Sequence, residues 1–318
     1  MKKLLKAPLL LNIVVVSSLL TTTLPYTASA APSKPAKSKT VKASKSSKAA
    51  NDTDSQVDLG LKYAKGEGVK KDIKKAREIF EKAAAKGNAR AQANLGLMYL
   101  NGLGVAPDDK KAFDWFLKAA LQGDDRVQNG LGLMYYGGRG TPQDFDEAVA
   151  WYKKSVAQGN FEAMFNLGMA YHYGRGTEQS FEKALALYEE SAKGGYPKAM
   201  YNLGVMYSTA DGVPFDIDRA IFYYDQAAKV DYAQAQYNLG LIYQSDVLGR
   251  QDLSRAFDLY EKAANQDVDR AMFNLAVMYE NGFGVRSDAK KAEQWYKKSC
   301  DAGLKDGCDI IAAAKRSR

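Results

Sequence analysis

The sequence predicts an all-α fold: a right-handed α-α superhelical solenoid of seven helix-turn-helix repeats followed by a C-terminal capping helix. Three observations support this prediction. One run of residues returns every 36 residues without an insertion. Apolar side chains within each repeat recur at the helical spacings of three and four, and no segment shows the sustained alternation that is typical of a half-buried strand. Because one helical hairpin cannot bury its apolar face alone, successive repeats must stack.

The start of the chain has the features of an export signal. Three lysines among the first six residues precede an apolar run that ends at Leu20 and leads to Ala28-Ser29-Ala30. This order is typical of a secretory signal peptide, predicted over residues 1–30 with cleavage after Ala30. The run is short for a membrane span, which needs about 20 apolar residues, although an uncleaved anchor is the alternative. We therefore expect a periplasmic or secreted protein with no transmembrane span in the mature chain.

The next segment, residues 31–54, is predicted to be a disordered linker rich in Lys, Ser, Ala and Pro. The first fifty residues contain nine Lys and no acid, so 36 basic and 37 acidic side chains remain for the rest of the chain. A repeat region so close to neutral argues against a nucleic-acid-binding domain, which needs clustered basic residues. The linker is interpreted either as a solvated spacer or as an electrostatic contact with an anionic envelope surface.

Each repeat is predicted to contain two helices, here called helix A and helix B. Helix A carries the recurring run, which reads Asn94-Leu95-Gly96-Leu97-Met98-Tyr99 in the second repeat. Its glycine lets helix B approach closely, and Gly102-x-Gly104 should end helix A because glycine adopts positive φ at low cost. Asp108 is predicted to cap helix B. The repeats are predicted at residues 55–89, 90–125, 126–161, 162–197, 198–233, 234–269 and 270–303, and the capping helix with its basic tail at 304–318.

Two repeats depart from the Gly-x-Gly pattern. The fifth repeat has Ala210-Asp211-Gly212, and the sixth has residues 246–249 in its place. Because only glycine adopts positive φ at low cost, both loops are expected to form a different turn.

These motifs, in phase over about residues 55–303, strongly resemble the Sel-one-like repeat family, which is related to the tetratricopeptide repeats. The resemblance implies an extended scaffold that binds proteins or polymers, typically in secreted or periplasmic bacterial proteins and in signalling assemblies.

Two cysteines are the only ones in the chain, Cys300 and Cys308, at the junction between the last helix B and the capping helix. In-phase residues straddle the same junction in earlier repeats, so the two side chains are expected within disulfide reach. Cysteine-rich members of the family that the chain resembles have a similar spacing. In an exported protein a disulfide is predicted, and it would fasten a helix that has no following neighbour.

A ligand-binding groove is predicted on the side of helix A that faces away from the core. Tetratricopeptide relatives use an asparagine at a similar place to hold extended peptides, since an amide both donates and accepts hydrogen bonds. The alternative is that the asparagines bridge neighbouring helices and the aromatic residues fill the seams between repeats. The predicted groove residues are Asn94, Tyr136, Phe165, Asn166, Met169, His172, Tyr201, Asn202, Tyr237, Asn238, Phe273 and Asn274.

The function predicted from these features is an exported scaffold that holds a protein, an extended peptide or an envelope polymer. No catalytic residue, cofactor site or metal site is predicted, and the single histidine, His172, is expected to be a surface contact. The alternative function is an enzyme acting on a β-lactam or a peptidoglycan fragment, suggested by Ser180-x-x-Lys183. The repeat explains both residues, however, because Ser180 takes the helix-capping position and Lys183 is in phase with Lys75 and Lys111.

Overall fold

The structure is a computed structural model that describes residues 46–246 and 249–316. The predicted signal peptide and linker residues 31–45 lie outside the described residues. All fifteen elements in the described part of the chain are α-helices, which confirms the all-α prediction. The helices are α1 Ser46–Lys65, α2 Ile73–Ala85, α3 Ala89–Asn101, α4 Asp109–Ala120, α5 Asp125–Gly137, α6 Phe145–Val156, α7 Phe161–Tyr173, α8 Phe181–Lys193, α9 Pro197–Thr209, α10 Ile217–Lys229, α11 Ala233–Gln244, α12 Leu253–Ala264, α13 Asp269–Asn281, α14 Ala289–Asp301 and α15 Lys305–Arg316.

The described helices form two compact units. The N-terminal unit contains α1 to α7 and ends at Ser180, and the C-terminal unit contains α8 to α15. Odd-numbered helices up to α13 are helices A, and even-numbered helices are helices B. Within each unit, a helix A packs against helix B of its own repeat and against helix B of the repeat before it. No helix among the described residues is long and apolar enough to cross a membrane.

Helix B begins at a side-chain cap, as predicted for Asp108. The Asp108 carboxylate accepts a hydrogen bond from the Lys111 backbone N–H at 2.9 Å. Such a bond satisfies one of the four backbone N–H groups that lack a partner at a helix start. The same cap is formed by Asp72, Asp144, Asp216, Asp252 and Asp288.

Glycine at the centre of helix A allows the close approach that the sequence predicts. A Cβ atom at Gly132 would lie 2.6 Å from the Tyr152 ring, and one at Gly240 would lie 2.7 Å from the Tyr260 ring. Both distances are shorter than carbon atoms tolerate, so a larger residue would force the two helices apart.

The loop after helix A follows the predicted turn in most repeats, and one expected exception is wrong. Gly102 ends α3 with φ 66°, and Ala210 ends α9 with φ 58° in the same left-handed conformation. The fifth repeat therefore keeps the common turn and accepts the strain of a non-glycine residue, of about 1–2 kcal/mol. The sixth repeat does differ, since Ser245 after α11 is extended with φ −76° and ψ 136°.

The predicted start of the repeat region also needs correction. Helix α1 begins at Ser46, so residues 46–54 are helical and the linker prediction is wrong there. Val57 is fully buried, and the Asn88 amide donates to Asp54 Oδ1 at 2.7 Å and to Thr53 Oγ1 at 3.3 Å. Contacts with the next repeat therefore hold the end of this segment, at Thr53 and Asp54.

The seam between consecutive repeats is closed by a recurring amide contact. Gln92 of α3 donates to the Ala84 carbonyl at the end of α2 at 3.4 Å, and Gln122 after α4 donates to Gln92 Oε1 at 2.8 Å. We call this arrangement the glutamine clasp. It recurs as Gln128 with Gln158 and as Gln236 with Gln266.

At the C-terminal end, a covalent bond takes the place of the clasp. Cys300 and Cys308 form a disulfide with a Cα–Cα distance of 4.6 Å and a sequence separation of 8. This is the separation of Ala84 and Gln92, and the two cysteines are in phase with that pair. The disulfide therefore joins α14 to α15.

Candidate functional site

The predicted groove residues in the N-terminal unit are largely occupied by contacts within the unit. Asn94 donates to the Arg90 carbonyl of its own helix at 2.7 Å. Asn166 donates to Oδ1 of Asn129 on the preceding helix A at 2.8 Å, and Asn129 is buried. Asn166 therefore has the bridging role that the alternative interpretation gives to the asparagines.

Aromatic and basic side chains pack together near the end of α5. The Tyr136 ring lies edge-on to Phe145, with ring centroids 5.0 Å apart, and its hydroxyl accepts a hydrogen bond from Arg175. The Arg175 guanidinium also lies 5.5 Å from the centroid of the Tyr173 ring, within the range of a cation–π contact. Tyr136 is thus half-buried and held from two sides.

Three other predicted groove residues lie on α7. Phe165 and Met169 are half-buried, whereas His172 is only 6% exposed and lies against the Tyr173 ring with centroids 4.6 Å apart. The expectation that His172 is a surface contact is therefore wrong, because neighbouring side chains cover it.

Two of the predicted groove residues in the C-terminal unit are buried. Tyr201 is 6% exposed and Asn238 is 2% exposed. The Asn238 amide donates to the hydroxyl groups of Tyr201 at 3.4 Å and of Tyr224 at 3.3 Å. Burial raises the pKa of Tyr201 and of Tyr224, since a phenolate would be poorly solvated there. Neither Tyr201 nor Asn238 presents its side chain to a ligand without a rearrangement.

Half-buried apolar residues lie on α11 and α13, and we call Tyr237, Leu241, Phe273 and Val277 the apolar stripe. The Tyr237 ring lies 5.9 Å from the buried Tyr260 ring, and the Phe273 ring lies 5.4 Å from the buried Tyr296 ring. In each of these two consecutive repeats, the half-buried ring of helix A therefore packs against a buried tyrosine ring of helix B. Asn202 and Asn274 are also half-buried, and Asn274 hydrogen bonds to Tyr260.

A set of polar residues lies beside this stripe, and the list of predicted groove residues does not include them. Four residues after the helix A glycine position, a side chain contacts the buried tyrosine hydroxyl of helix B in the same repeat. Tyr260 donates to Gln244 Oε1 at 2.7 Å, and Tyr296 donates to Glu280 Oε2 at 2.7 Å. Ser208 and Tyr224 lie 3.1 Å apart in the repeat before them.

A signal for this pairing was present in the sequence. The first two repeats have phenylalanine at the helix B position, as Phe80 and Phe116, and their partner positions are the apolar residues Ala64 and Leu100. Polar partners occur only where helix B carries tyrosine, because a buried hydroxyl needs a hydrogen-bond partner. Burial, and then the Glu280 carboxylate, raise the pKa of Tyr296.

The residues behind the alternative enzymatic function have structural positions. The Ser180 backbone N–H donates to the Tyr171 carbonyl at 2.9 Å, as Asp108 donates to Tyr99 and Asp144 to Tyr135. Ser180 therefore occupies the position that immediately precedes helix B in the other repeats. Among the described residues, no three His, Cys, Asp or Glu side chains are grouped to hold a metal ion.

Comparison with known proteins identifies the repeat. The Sel1 repeat family model matches seven consecutive segments, at residues 53–88, 89–124, 126–160, 161–196, 197–232, 233–268 and 269–304. No curated protein matches the chain.

Solved structures similar to this chain include repeat proteins of the same kind. A Sel1 repeat protein from Oxalobacter formigenes is 35% identical, with a TM-score of 0.72, over 82% of this chain and 76% of that chain. A protective antigen of uropathogenic Escherichia coli strains, described as having an SLR fold, is 34% identical with a TM-score of 0.67. That match covers 83% of this chain but only 57% of the antigen, so the chain spans little more than half of that protein's length.

Yeast Tom70 shares the fold alone, with 18% identity and a TM-score of 0.52 over 85% of this chain and 59% of that chain.

The seven matched segments cover nearly all of the described helices, and the solved Sel1 repeat protein from Oxalobacter formigenes has the same fold. The chain therefore belongs to the Sel1 repeat family and has its all-α superhelical repeat fold.

Proposed function

We propose that this protein is an exported scaffold that binds an extended segment of a partner protein along the apolar stripe of α11 and α13. The observation that carries the proposal is the pair of half-buried rings of Tyr237 and Phe273, one from each of two consecutive repeats. Each ring rests on a buried tyrosine, so its position is fixed before a ligand arrives. Preorganised aromatic side chains contribute strongly to binding because little conformational entropy is lost.

Polar groups beside the stripe suit a polypeptide backbone. Gln244 accepts from Tyr260 through Oε1, and a glutamine amide in that state can still donate through Nε2. Glu280 is exposed and accepts from Tyr296 through one carboxylate oxygen, which leaves the other oxygen as an acceptor for a backbone N–H. A donor and an acceptor in consecutive repeats therefore flank the aromatic rings, and this favours an extended peptide over a wall polymer.

Export is part of the proposal and rests on two features. The lysines and apolar run of residues 1–30 are typical of a signal peptide, and the Cys300–Cys308 disulfide suits an oxidising compartment. In that setting the basic segment 31–45 would meet anionic headgroups or polymers of the envelope, in a contact that weakens as salt concentration rises.

The test places a photoreactive amino acid at Tyr237 in the exported chain, and a control at Phe222, which is 56% exposed on helix B of the fifth repeat. A defined partner should crosslink from position 237 and not from 222. Its affinity, measured by calorimetry with purified proteins, should fall by about 2 kcal/mol or more in Tyr237→Ala/Phe273→Ala, the size expected for two aromatic hot spots. The matched control Phe215→Ala/Phe222→Ala should bind as the natural chain does. Equal capture from both positions, or equal loss in both double variants, would contradict the proposal.

A further inference from the structure

The seam before α13 lacks the glutamine clasp that closes three other seams. Met272 of α13 is in phase with Gln92, Gln128 and Gln236, and Ala302 is in phase with their partners Gln122, Gln158 and Gln266. Methionine cannot accept or donate as an amide does, and alanine is too short to reach across the seam. The two glutamine side chains that meet in those three seams are therefore absent from this one.

A pocket of about 620 Å³ lies at this seam. Met272 is 5% exposed and forms its floor, Trp295 is half-buried and forms a wall, and Ala302, Asp267, Asp301 and Lys298 are exposed at its rim. We call it the seam pocket. All of its residues belong to the C-terminal unit, and it lies apart from the apolar stripe.

The tryptophan and the lysine of the seam pocket have equivalents in the third repeat. Trp151 is in phase with Trp295, and Lys154 lies over the Trp151 ring at 3.6 Å just as Lys298 lies over Trp295 at 3.8 Å. The tryptophan and lysine are thus the same in both repeats. In the third repeat Gln128 and Gln158 form the clasp, and Trp151 is only 5% exposed.

The carboxylates at the rim indicate the charge of a ligand. Asp267 has φ 63° at a turn where most repeats have glycine, and Asp231 occupies the same position one repeat earlier with φ 59°. Asp231 Oδ1 accepts a hydrogen bond from the Gln236 amide at 3.3 Å. The thioether of Met272 cannot make that donation to Asp267, so an external donor fits there. Asp301 also lines the pocket, so its rim carries two carboxylates against the single ammonium of Lys298.

We propose that the seam pocket binds an arginine side chain of a partner polypeptide. Its aliphatic stem would pack against Met272 and Trp295, and its planar guanidinium would donate to Asp267 and Asp301. Arginine suits this site better than lysine because a guanidinium can donate to two carboxylates at once. The site would add a second, charge-selective contact that does not depend on binding at the apolar stripe.

The experiment uses the indole N–H resonances of the full chain, which has three tryptophans. The probe is the blocked tripeptide acetyl-Gly-Arg-Gly-amide, with the corresponding Lys and Gln tripeptides as comparisons. The Arg peptide should shift the Trp295 resonance saturably and leave Trp115 and Trp151 in place, whereas the Lys peptide should bind at least about fivefold more weakly. An unmoved Trp295, or an equal response to the Gln peptide, would overturn the proposal.

Two variants separate binding at the pocket from other effects. Met272→Gln/Ala302→Gln rebuilds the clasp of the other seams, so it should fold and lose the Trp295 shift. Asp301→Asn changes one exposed carboxyl and should weaken the Arg peptide by about fivefold to tenfold at low salt, and by less at high salt. If the rebuilt clasp or the loss of the carboxylate left the response unchanged, the arginine site would be excluded. If the rebuilt variant did not fold, Asp301→Asn alone would decide between the two outcomes.

Discussion

The two units of this chain use polar side chains for different purposes, although they share one repeat. In the N-terminal unit, Asn88, Asp124 and Asn160 cap helices A through their side chains. In the C-terminal unit, Tyr232 and Val268 occupy the same position and form no such cap. Instead, the Tyr232 ring packs 5.4 Å from Tyr201, and burial raises the pKa of Tyr232 to about 12.

The second difference lies beneath the outer face of helix A. Helix B of the first two repeats presents Phe80 and Phe116 to the core, whereas tyrosine takes that position from the third repeat onward, including Tyr224, Tyr260 and Tyr296 in the last three. The hydroxyls of Tyr260 and Tyr296 bond to Gln244 and Glu280, which lie on the helices of the apolar stripe. The comparison teaches that the N-terminal unit uses polar side chains to cap helix A, whereas the last repeats leave helix A uncapped and place hydrogen-bonding groups near the surface that we propose to bind.

The largest expected effect concerns the disulfide, which stands at the position of the glutamine clasp found in two N-terminal seams and one C-terminal seam. Cys300→Ala/Cys308→Ala should destabilise α15 by about 2–3 kcal/mol, the loop-entropy value for a short crosslink. Cys300→Ala/Cys308→Gln recreates the pairing of Ala84 with Gln92 and should recover about 1 kcal/mol through its hydrogen bond. Hydrogen exchange of the α15 amides measures the loss of stability in the first variant and its partial recovery in the second. Identical exchange in the oxidised natural chain and the Ala/Ala variant would mean that the disulfide has no stabilising role.

A smaller effect is expected from converting a C-terminal repeat to the N-terminal type. Gln244→Leu leaves the buried Tyr260 hydroxyl without its acceptor and should destabilise the chain by about 1–3 kcal/mol. Adding Tyr260→Phe should recover most of the lost stability. The residues at positions 244 and 260 are then Leu and Phe, as Leu100 and Phe116 are in the second repeat.

Urea unfolding of the two single variants and the double variant gives the coupling between the two sites. Additive losses in this cycle would show that the hydroxyl contact does not explain why the two positions change together.

The smallest effect is expected from giving the C-terminal unit an N-terminal type of cap. Val268→Asn should stabilise the chain by about 1 kcal/mol, because the new side chain can accept from the first N–H groups of α13. The reverse change, Asn88→Ala, should cost about the same and should also remove the bonds to Thr53 and Asp54. Thermal unfolding measures the change in stability of both variants. A destabilised Val268→Asn would indicate that packing of the valine outweighs capping in the C-terminal unit.

Much of this protein was determined by local sequence. Periodic apolar residues predicted the helices, Asp108 and its counterparts predicted the starts of helix B, and Gly132 and Gly240 predicted close helix contacts. These features depend on residues near one another in the chain or on a strict repeat, and for that reason a pattern is enough to find them. The Cys300–Cys308 disulfide could be predicted in the same way, because residues in phase with the two cysteines face each other across the junction in earlier repeats.

Only the tertiary structure decided how deeply each side chain is covered. Tyr201, Asn238 and His172 were predicted to line the same groove as Tyr237 and Phe273, yet the first three are buried and the last two are half-buried. Helicity of residues 46–54, the retained turn at Ala210 and the open seam beside Met272 likewise depend on what the neighbouring repeat provides. A repeat specifies the path of its own backbone, but exposure depends on the size of side chains contributed by other repeats, and those sizes vary from one repeat to the next.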